Sequence, residues 1–537
     1  MHVGSLNERV DVAIQESSAQ LDKLADEIYA ALSAQFPVCL SSDEFHFFPH
    51  FRSAAGELLA WDDFSEGAVR NFFSTVRQWQ TRLDELRPRL PASDVAVDID
   101  LLSKVLTTLH EQLKRVRVHQ TQPTFYLTII SIGLAEALSE SREALERRIT
   151  TLPAFLETAM ANLTRVPVVA VEVAREMIPR LTGWISILPL TNAERDAAMA
   201  IFQQFHTHLN RIDTVPDFRL PGDLYARVAD YHMGCQMGLE EIDWHLNQEI
   251  EAAENRLSES AGRISGGQTW QEVFHDLPSP KAPHGDVQAL YSGGIARLRH
   301  HCLDQEFFSA HQTTGSEVEI KAIAEHMMPV RANAAYSIQP GHPAGGGVFY
   351  ILPLNRQPIP RDMMLLAAHE TYPGHHLLDT LRWNQHRPLR RCLEFPIFYE
   401  GWASFCEEIL FDSGFFSGPA DSLMMAKRRF WRATRGRAEL RIHTGRYTLD
   451  EAAQDLAGVG LVTKEHAEAM VRRYALKPGY QLAYAIGRRK FRQLYTAFLG
   501  QGQPLAHFVR NVLSYGEIGF DHLAERLLYT IENGDAQ

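Results

Sequence analysis

Apolar residues spaced three and four apart run through most of this chain, and that period constrains its fold more than any other feature. In "QLDKLADEIYAAL", Leu21, Leu24, Ile28 and Leu32 return to one face of a helix. The stretch "LYARVADYHMGCQMGLEEIDWHLNQEIEAAENRL", Leu224 to Leu257, is rich in Glu and Ala, and it reads as one long helix despite its glycines. "TLDEAAQDLAG" opens on Thr448 and Glu451, a capping box, and closes on a glycine. Strand signals are few. The best is "GGGVFYILPL", Gly345 to Leu354, a β-favouring run between glycines and a proline. The expected fold class is mainly α, with one small β-sheet.

A chain of 537 residues with 45% apolar and 22% charged residues can bury a large core without disulfides or structural metals. The clearest change in composition is the Ser-, Gly- and Pro-rich stretch 258–286, which reads as a loop region. It divides a helical N-terminal part, 1–257, from a part holding the motifs, 287–537. It reads equally as a surface loop inside one continuous domain, 1–537. The net charge of −13 gives no support for nucleic-acid binding. Lys427, Arg428, Arg429, Arg432, Arg435 and Arg437 alternate with apolar residues at helical spacing, which suits a solvated helix face with internal salt bridges. The five cysteines are scattered and unpaired in sequence, as buried thiols in a reducing compartment would be. The opening "MHVGSLNERVDVAIQ" has no charged-then-apolar signal pattern. The most apolar run, Phe125 to Leu138, is shorter than the roughly 18 residues a membrane span requires. These features predict a cytoplasmic protein with no membrane or nucleic-acid partner; a homo-oligomer remains open.

The chemistry concentrates in "LLAAHETYPGHHLLDTLRW", Leu365 to Trp383. His369 is followed by Glu370, as in a zinc-protease helix, but the usual second histidine four residues after the first is absent. The next histidines are His375 and His376. On an ideal helix, residues six apart are separated by roughly 9 Å along the axis and about 120° around it; seven apart restores the face but adds about 1.5 Å. Neither pair reaches one ion from a straight helix. Pro373 and Gly374 supply the distortion: proline breaks the hydrogen-bond ladder and glycine tolerates unusual backbone angles. The "TYPG" segment can therefore swing His375 or His376 back beside His369. A zinc hydrolase needs three protein ligands and one open position. Glu400, in "FPIFYEGWASFCEEI", follows at helix–turn–helix distance and completes the set; Glu407 and Glu408 lie further along the same segment. Glu370 would hold the attacking water and take its proton.

"HETYPGHHLL" followed by "EGWASFCEE" resembles the signature of the bacterial family called domain of unknown function 885. Members of that family look like zinc metallopeptidases, with a fold similar to carboxypeptidase Taq and kinship to angiotensin-converting enzyme. The resemblance implies a helical cleft-type metallopeptidase fold with the small sheet beside the metal-site helix. Those enzymes place a glycine before the second histidine, so the likeness favours His375 over His376. "GGGVFYILPLN" resembles the family's substrate-side strand. "RATRGRAELRIH" resembles a segment with an aspartate where this chain has Glu439, with His443 in register. "KPGYQLAYAIG" resembles the block "PG…Y..G" through Pro478, Gly479, Tyr484 and Gly487, while Tyr480 and Gln481 depart from its commonest form.

The expected activity is zinc-dependent hydrolysis of amide bonds in short peptides, exopeptidase-like, with one Zn2+ on His369, His375 and Glu400. Glu370 is the base that later protonates the leaving amine. Tyr484 and His443 are candidate oxyanion donors. Tyr480 lies behind them, and Arg488 is a candidate partner for a substrate carboxylate. Phe349 and Tyr350 mark a strand whose open edge would pair with an extended substrate. Trp402 reads as packing behind Glu400. Two other functions fit the same residues: a metal-dependent enzyme acting on a non-peptide amide, and a binding protein with a decayed site.

Overall fold

The computed structural model describes residues 3–50, 59–87, 93–323, 335–338, 346–352 and 359–532, with the side chains of 3–14, 338 and 528–532 left aside. The chain is mainly helical. Leu21, Leu24, Ile28 and Leu32 are all buried, as their spacing requires, on the helix Val3–Gln35. Helix starts follow capping chemistry: the Ser65, Ser93, Ser141 and Thr463 side chains each accept a first-turn N–H. At Thr448 the capping box closes both ways, and the helix Leu449–Gly458 follows. The most apolar run lies inside the helix Pro123–Glu140, sunk in the core rather than in lipid. Among the described residues no helix is long and apolar enough to cross a membrane. All five cysteines are free and buried.

The stretch 224–257 is not one helix. It begins as Leu224–Arg227, widens to a π-turn at Val228–His232, and breaks before restarting as Leu239–Ile264. Gly234, at φ +82°, makes the break. The region 258–286 is only partly loop. Residues up to Ile264 extend the preceding helix, and Thr269 with Glu272 caps a short helix, Trp270–Asp276. One apolar cluster takes in residues from both sides of this stretch, from Leu21 to Leu527.

Strands are short. Val318–Ala322, Gly347–Ile351 and Ala335–Ile338 form one three-stranded sheet, and Val166–Pro167 pairs with Thr214–Val215 in a second, so the described residues hold two small sheets where one was expected. Within the first, Gly347–Ile351 is the middle strand, parallel to Val318–Ala322 and antiparallel to Ala335–Ile338. Its two edges are therefore both used. Phe349 packs against Tyr291 in the core, and neither Phe349 nor Tyr350 borders the central cavity. The outer strands of this sheet are Val318–Ala322 and Ala335–Ile338.

Two helix pairings position the candidate site. Leu239–Ile264 lies along Pro419–His443, where the basic cluster sits. Its arginines are not a solvated face: Arg428 and Arg432 are largely buried against Glu407, and Arg429 pairs with Glu249. The helix Pro396–Asp412 crosses Leu482–Leu499 at Gly401 and Gly487. A Cβ on Gly487 would stand 2.2 Å from the Ile397 carbonyl oxygen, and one on Gly401 would stand 2.6 Å from the Gly487 backbone. The crossing thus requires both glycines. Ala is favoured over Gly in a helix by about 0.5–1 kcal/mol, but overpacking costs about 1–3 kcal/mol. Gly487→Ala is expected to lower the thermal midpoint. Gly183→Ala, on a helix where nothing lies within 4 Å of the new Cβ, is expected to leave it unchanged or raise it. Parallel melting curves of the two variants check this.

Candidate metal centre

The helix Met363–Glu370 stops one residue after His369, and a new helix, His375–Trp383, starts after four intervening residues. The intervening turn absorbs two extra residues in a specific way. The Gly374 N–H donates to the Ala368 carbonyl (3.1 Å) and the Leu377 N–H to the Thr371 carbonyl (3.2 Å), both six residues back. An ordinary helix closes four residues back. Two residues are thereby looped out, and His375 returns beside His369. Glycine is required at 374, since a Cβ there would lie 1.9 Å from the His369 carbonyl oxygen. The loop tip is anchored: the Pro373 carbonyl accepts from Trp402 Nε1 (3.0 Å) and from the Cys406 thiol (3.3 Å). Trp402 therefore holds the turn as well as filling the core.

His369, His375 and Glu400 converge, with one donor atom from each lying within 4.8 Å of the others. Both imidazole Nε2 atoms face Glu400 Oε2, at 3.4 and 3.5 Å. Oε2 is buried and has no hydrogen-bond partner among the described residues. A buried carboxylate oxygen flanked by two histidine nitrogens is a donor set suited to zinc. His376 points elsewhere. Its Nδ1 meets the Tyr336 hydroxyl (3.0 Å), and its Nε2 meets the Ser316 carbonyl and the Tyr372 hydroxyl.

Glu370, beside the ligands, accepts the Tyr336 backbone N–H at 2.8 Å. The edge strand thus fixes this carboxylate. Burial pushes Glu370 up to about 7. Burial also pulls His369 down to about 3, with the Arg432 charge adding to it. Glu400 goes the other way: burial opposes its charge, yet the close approach of the His369 and His375 imidazoles holds it well below the usual carboxylate range. The pattern belongs to the metal-free chain, and a divalent cation would be the largest charge in the site.

Each ligand has its own support. His369 Nδ1 sits 3.2 Å from Arg432 and 3.6 Å from Glu407 Oε1. Arg432 can only donate, so Nδ1 accepts from it here, and Glu407 faces Nδ1 at ion-pair rather than hydrogen-bond distance. Arg432 grips Glu407 through two nitrogens, at 2.7 and 3.0 Å. The His375 ring stacks on Tyr399 (4.0 Å, 22°), whose hydroxyl donates to Asp379 at 3.0 Å. Asp379 is itself paired with buried Arg382. Glu400 Oε1 accepts from the Tyr480 hydroxyl at 2.9 Å. The loop that carries Tyr480 is held by Glu439, which accepts the Gly479 and Gln481 N–H groups and the Tyr225 hydroxyl.

The cluster lines a cavity of about 640 Å³. Tyr480 and Tyr484 line it too, with ring centroids 5.9 Å apart. Besides Phe349 and Tyr350, two further expected participants lie outside it. His443 is stacked on Tyr225 (4.7 Å) with Nε2 toward the Tyr474 carbonyl, so aromatic packing places it away from the ligands. Arg488 is buried between Glu408 and Glu249, and those two carboxylates occupy its fork. Sequence reasoning passed over Tyr336, Asp379, Tyr399, Arg432 and Glu439 as parts of the site. Asp379 carried a local signal, four residues after His375 on the same helical face, and Glu439 was marked only by the resemblance, as standing where the family has an aspartate.

These features define a mainly helical protein with a His/His/Glu cluster at one side of a central cavity. A family model of bacterial proteins of unknown function, DUF885, matches residues 49–527, and the chain belongs to that family. Its fold is similar to the solved structure of a putative lipoprotein of unknown function from Shewanella oneidensis (TM-score 0.71, 15% identity, covering 95% of this chain and 99% of that one). It is similar as well to a putative lipoprotein from Colwellia psychrerythraea (TM-score 0.73, 16% identity, 96% and 99%). No curated protein matches the sequence significantly.

His443 offers a test of its place in the core. Burial pulls it down to about 4, below its ordinary value near 6.5. The folded state therefore prefers the neutral ring. The stability tied to that ring is full above pH 6.5 and is lost as pH falls toward 4, at about 1.4 kcal/mol per unit. His443→Phe keeps the stacking surface and removes the titration. Its thermal midpoint is expected to fall less between pH 6.5 and 4.5 than the parent's, in melts at matched ionic strength.

Proposed function

We propose that this chain is a zinc-dependent hydrolase that cleaves amide bonds of short peptides, with the helical cleft-type fold of a metallopeptidase. The observation that carries the reading is the convergence of His369, His375 and Glu400 in a cavity with Glu370 beside them. Two imidazoles and a carboxylate leave a fourth position open, the arrangement of catalytic rather than structural zinc. A zinc ion held there would polarise the scissile carbonyl and stabilise charge on its oxygen. Glu370 takes a proton from the attacking water and passes it to the leaving amine as the C–N bond breaks. A carboxyl raised by burial is suited to exchange protons near neutrality. Tyr484, in the cavity beside Tyr480, donates to the developing oxyanion. The cavity is large enough for a few residues of extended chain and too small for a folded protein. Five buried free thiols suit a reducing compartment, which supports a cytoplasmic setting.

Metal analysis of the purified chain tests the reading. The parent is expected to carry about one zinc per chain, His369→Ala to lose it, and Glu370→Gln to keep it while hydrolysis of a short-peptide panel falls by roughly 10²–10⁴-fold. Gly374→Ala, which forces the His369–His375 turn open, is expected to weaken zinc binding at least tenfold in a chelator titration. A parent that binds no zinc when it is supplied would sink the proposal.

A further inference from the structure

The basic side chains of the Pro419–His443 helix that border the cavity have carboxylate partners, with one exception. Lys427 and Arg428 meet Asp362, and Arg428 and Arg432 meet Glu407. Arg435 follows Arg432 by one turn. It has no carboxylate within 4.0 Å among the described residues, and its Nε is buried without a hydrogen-bond partner. Its guanidinium lies over the Tyr484 ring, 5.0 Å from the centroid. Tyr484 and Tyr480 in turn border Glu400, so a single aromatic layer separates Arg435 from the metal cluster.

A second unneutralised guanidinium faces the same space. Arg473, on the helix Lys464–Leu476, lines the cavity and also has no carboxylate within 4.0 Å among the described residues. Its neighbour Tyr474 lines the cavity too, with its buried hydroxyl beside the Arg435 guanidinium. Burial pushes that hydroxyl up to about 12 while the charges of both Arg435 and Arg473 pull it down, so the three groups act on one another. Buried donors left unpaired cost stability. The buried, unpartnered Arg435 Nε is such a donor, and with Arg473 and the Tyr474 hydroxyl bordering the same cavity it is matched by an acceptor carrying negative charge. A carboxylate fits the planar guanidinium fork.

We infer that Arg435, Arg473 and the Tyr474 hydroxyl form a subsite for the free C-terminal carboxylate of the substrate, one tyrosine layer from the metal cluster. The inference rests on the amide-hydrolase reading above and deepens it. The substrates are short peptides or N-acylated amino acids with a free carboxylate, cut close to that end. The departing amine carries the carboxylate that Arg435 and Arg473 hold.

The test uses the zinc-loaded Glu370→Gln protein, which binds without turnover. An N-acetyl dipeptide and its C-terminal amide are titrated against it by calorimetry, with inorganic phosphate as a third probe. The acid is expected to bind roughly ten- to a hundredfold more tightly than the amide. Arg435→Met, and separately Arg473→Met, are each expected to shrink that ratio to below threefold with zinc content unchanged, and Arg435→Lys to restore part of it. Equal binding of acid and amide would overturn the inference, as would variants that weaken both alike, or phosphate binding tighter than the peptide. Failure of the hydrolase reading shows differently: the parent would lack zinc or turnover while the preference for acid over amide persists.

Discussion

One carbonyl oxygen ties the two halves of the candidate centre together. Pro373 lies at the tip of the turn between His369 and His375, and its carbonyl accepts from Trp402 and Cys406 on the helix that carries Glu400. Both donors are buried on that helix, two and six residues beyond the glutamate. The turn that brings the two histidines together is thus registered against the element that delivers the carboxylate. The Gly401–Gly487 crossing then sets that helix against the one bearing Tyr484. Separate segments reach a common point because each is locked to its neighbour by backbone contact, not by the ligand side chains alone.

The centre is wrapped in charge that the fold has taken out of water. Glu407, Asp379 and Glu517 are buried, the Glu394 side chain is 7% exposed, and each lies beside a buried arginine. Burying such pairs is costly, and their attraction seldom repays the desolvation with much to spare. Their value here is geometric. Arg432 and Glu407 constrain His369, and Asp379 holds the Tyr399 ring against His375. Removing one member of such a pair strands the other as an unpaired buried charge, so the network resists piecemeal loosening.

The sequence made part of this legible for definite reasons. His369, Glu370, His375 and Glu400 stood out because a Pro-Gly pair inside a His-Glu helix has few other uses. The helical stripe at Leu21 to Leu32 and the capping box at Thr448 are local rules, and both appear as read. What failed depended on distant partners. Arg428, Arg432 and Arg435 look alike in sequence, and only Glu407 and Asp362, brought in from other helices, distinguish the paired from the unpaired. Arg488 was chosen as a carboxylate partner and does meet carboxylates, but they belong to the protein. The strand at Gly347–Ile351 was visible by composition. Its middle place in the sheet was not, because the neighbouring strands carry weaker signals.

The two-residue enlargement of the His–His spacing also has a structural consequence. In a straight helix, residues four apart share one face and their carbonyls stay inside the ladder. Here the six-residue closures free the Pro373 carbonyl to point outward, where Trp402 and Cys406 take it up. They also leave His376 facing away from Glu400, against Tyr336 and Tyr372. Tyr336 meets Glu370 through its backbone N–H and His376 through its hydroxyl. The same turn that returns His375 to the cluster therefore presents His376 to the strand that orients Glu370. The enlarged spacing couples the base to the ligand helix through a single tyrosine, a link that a straight helix, with no second histidine displaced from its face, would not provide.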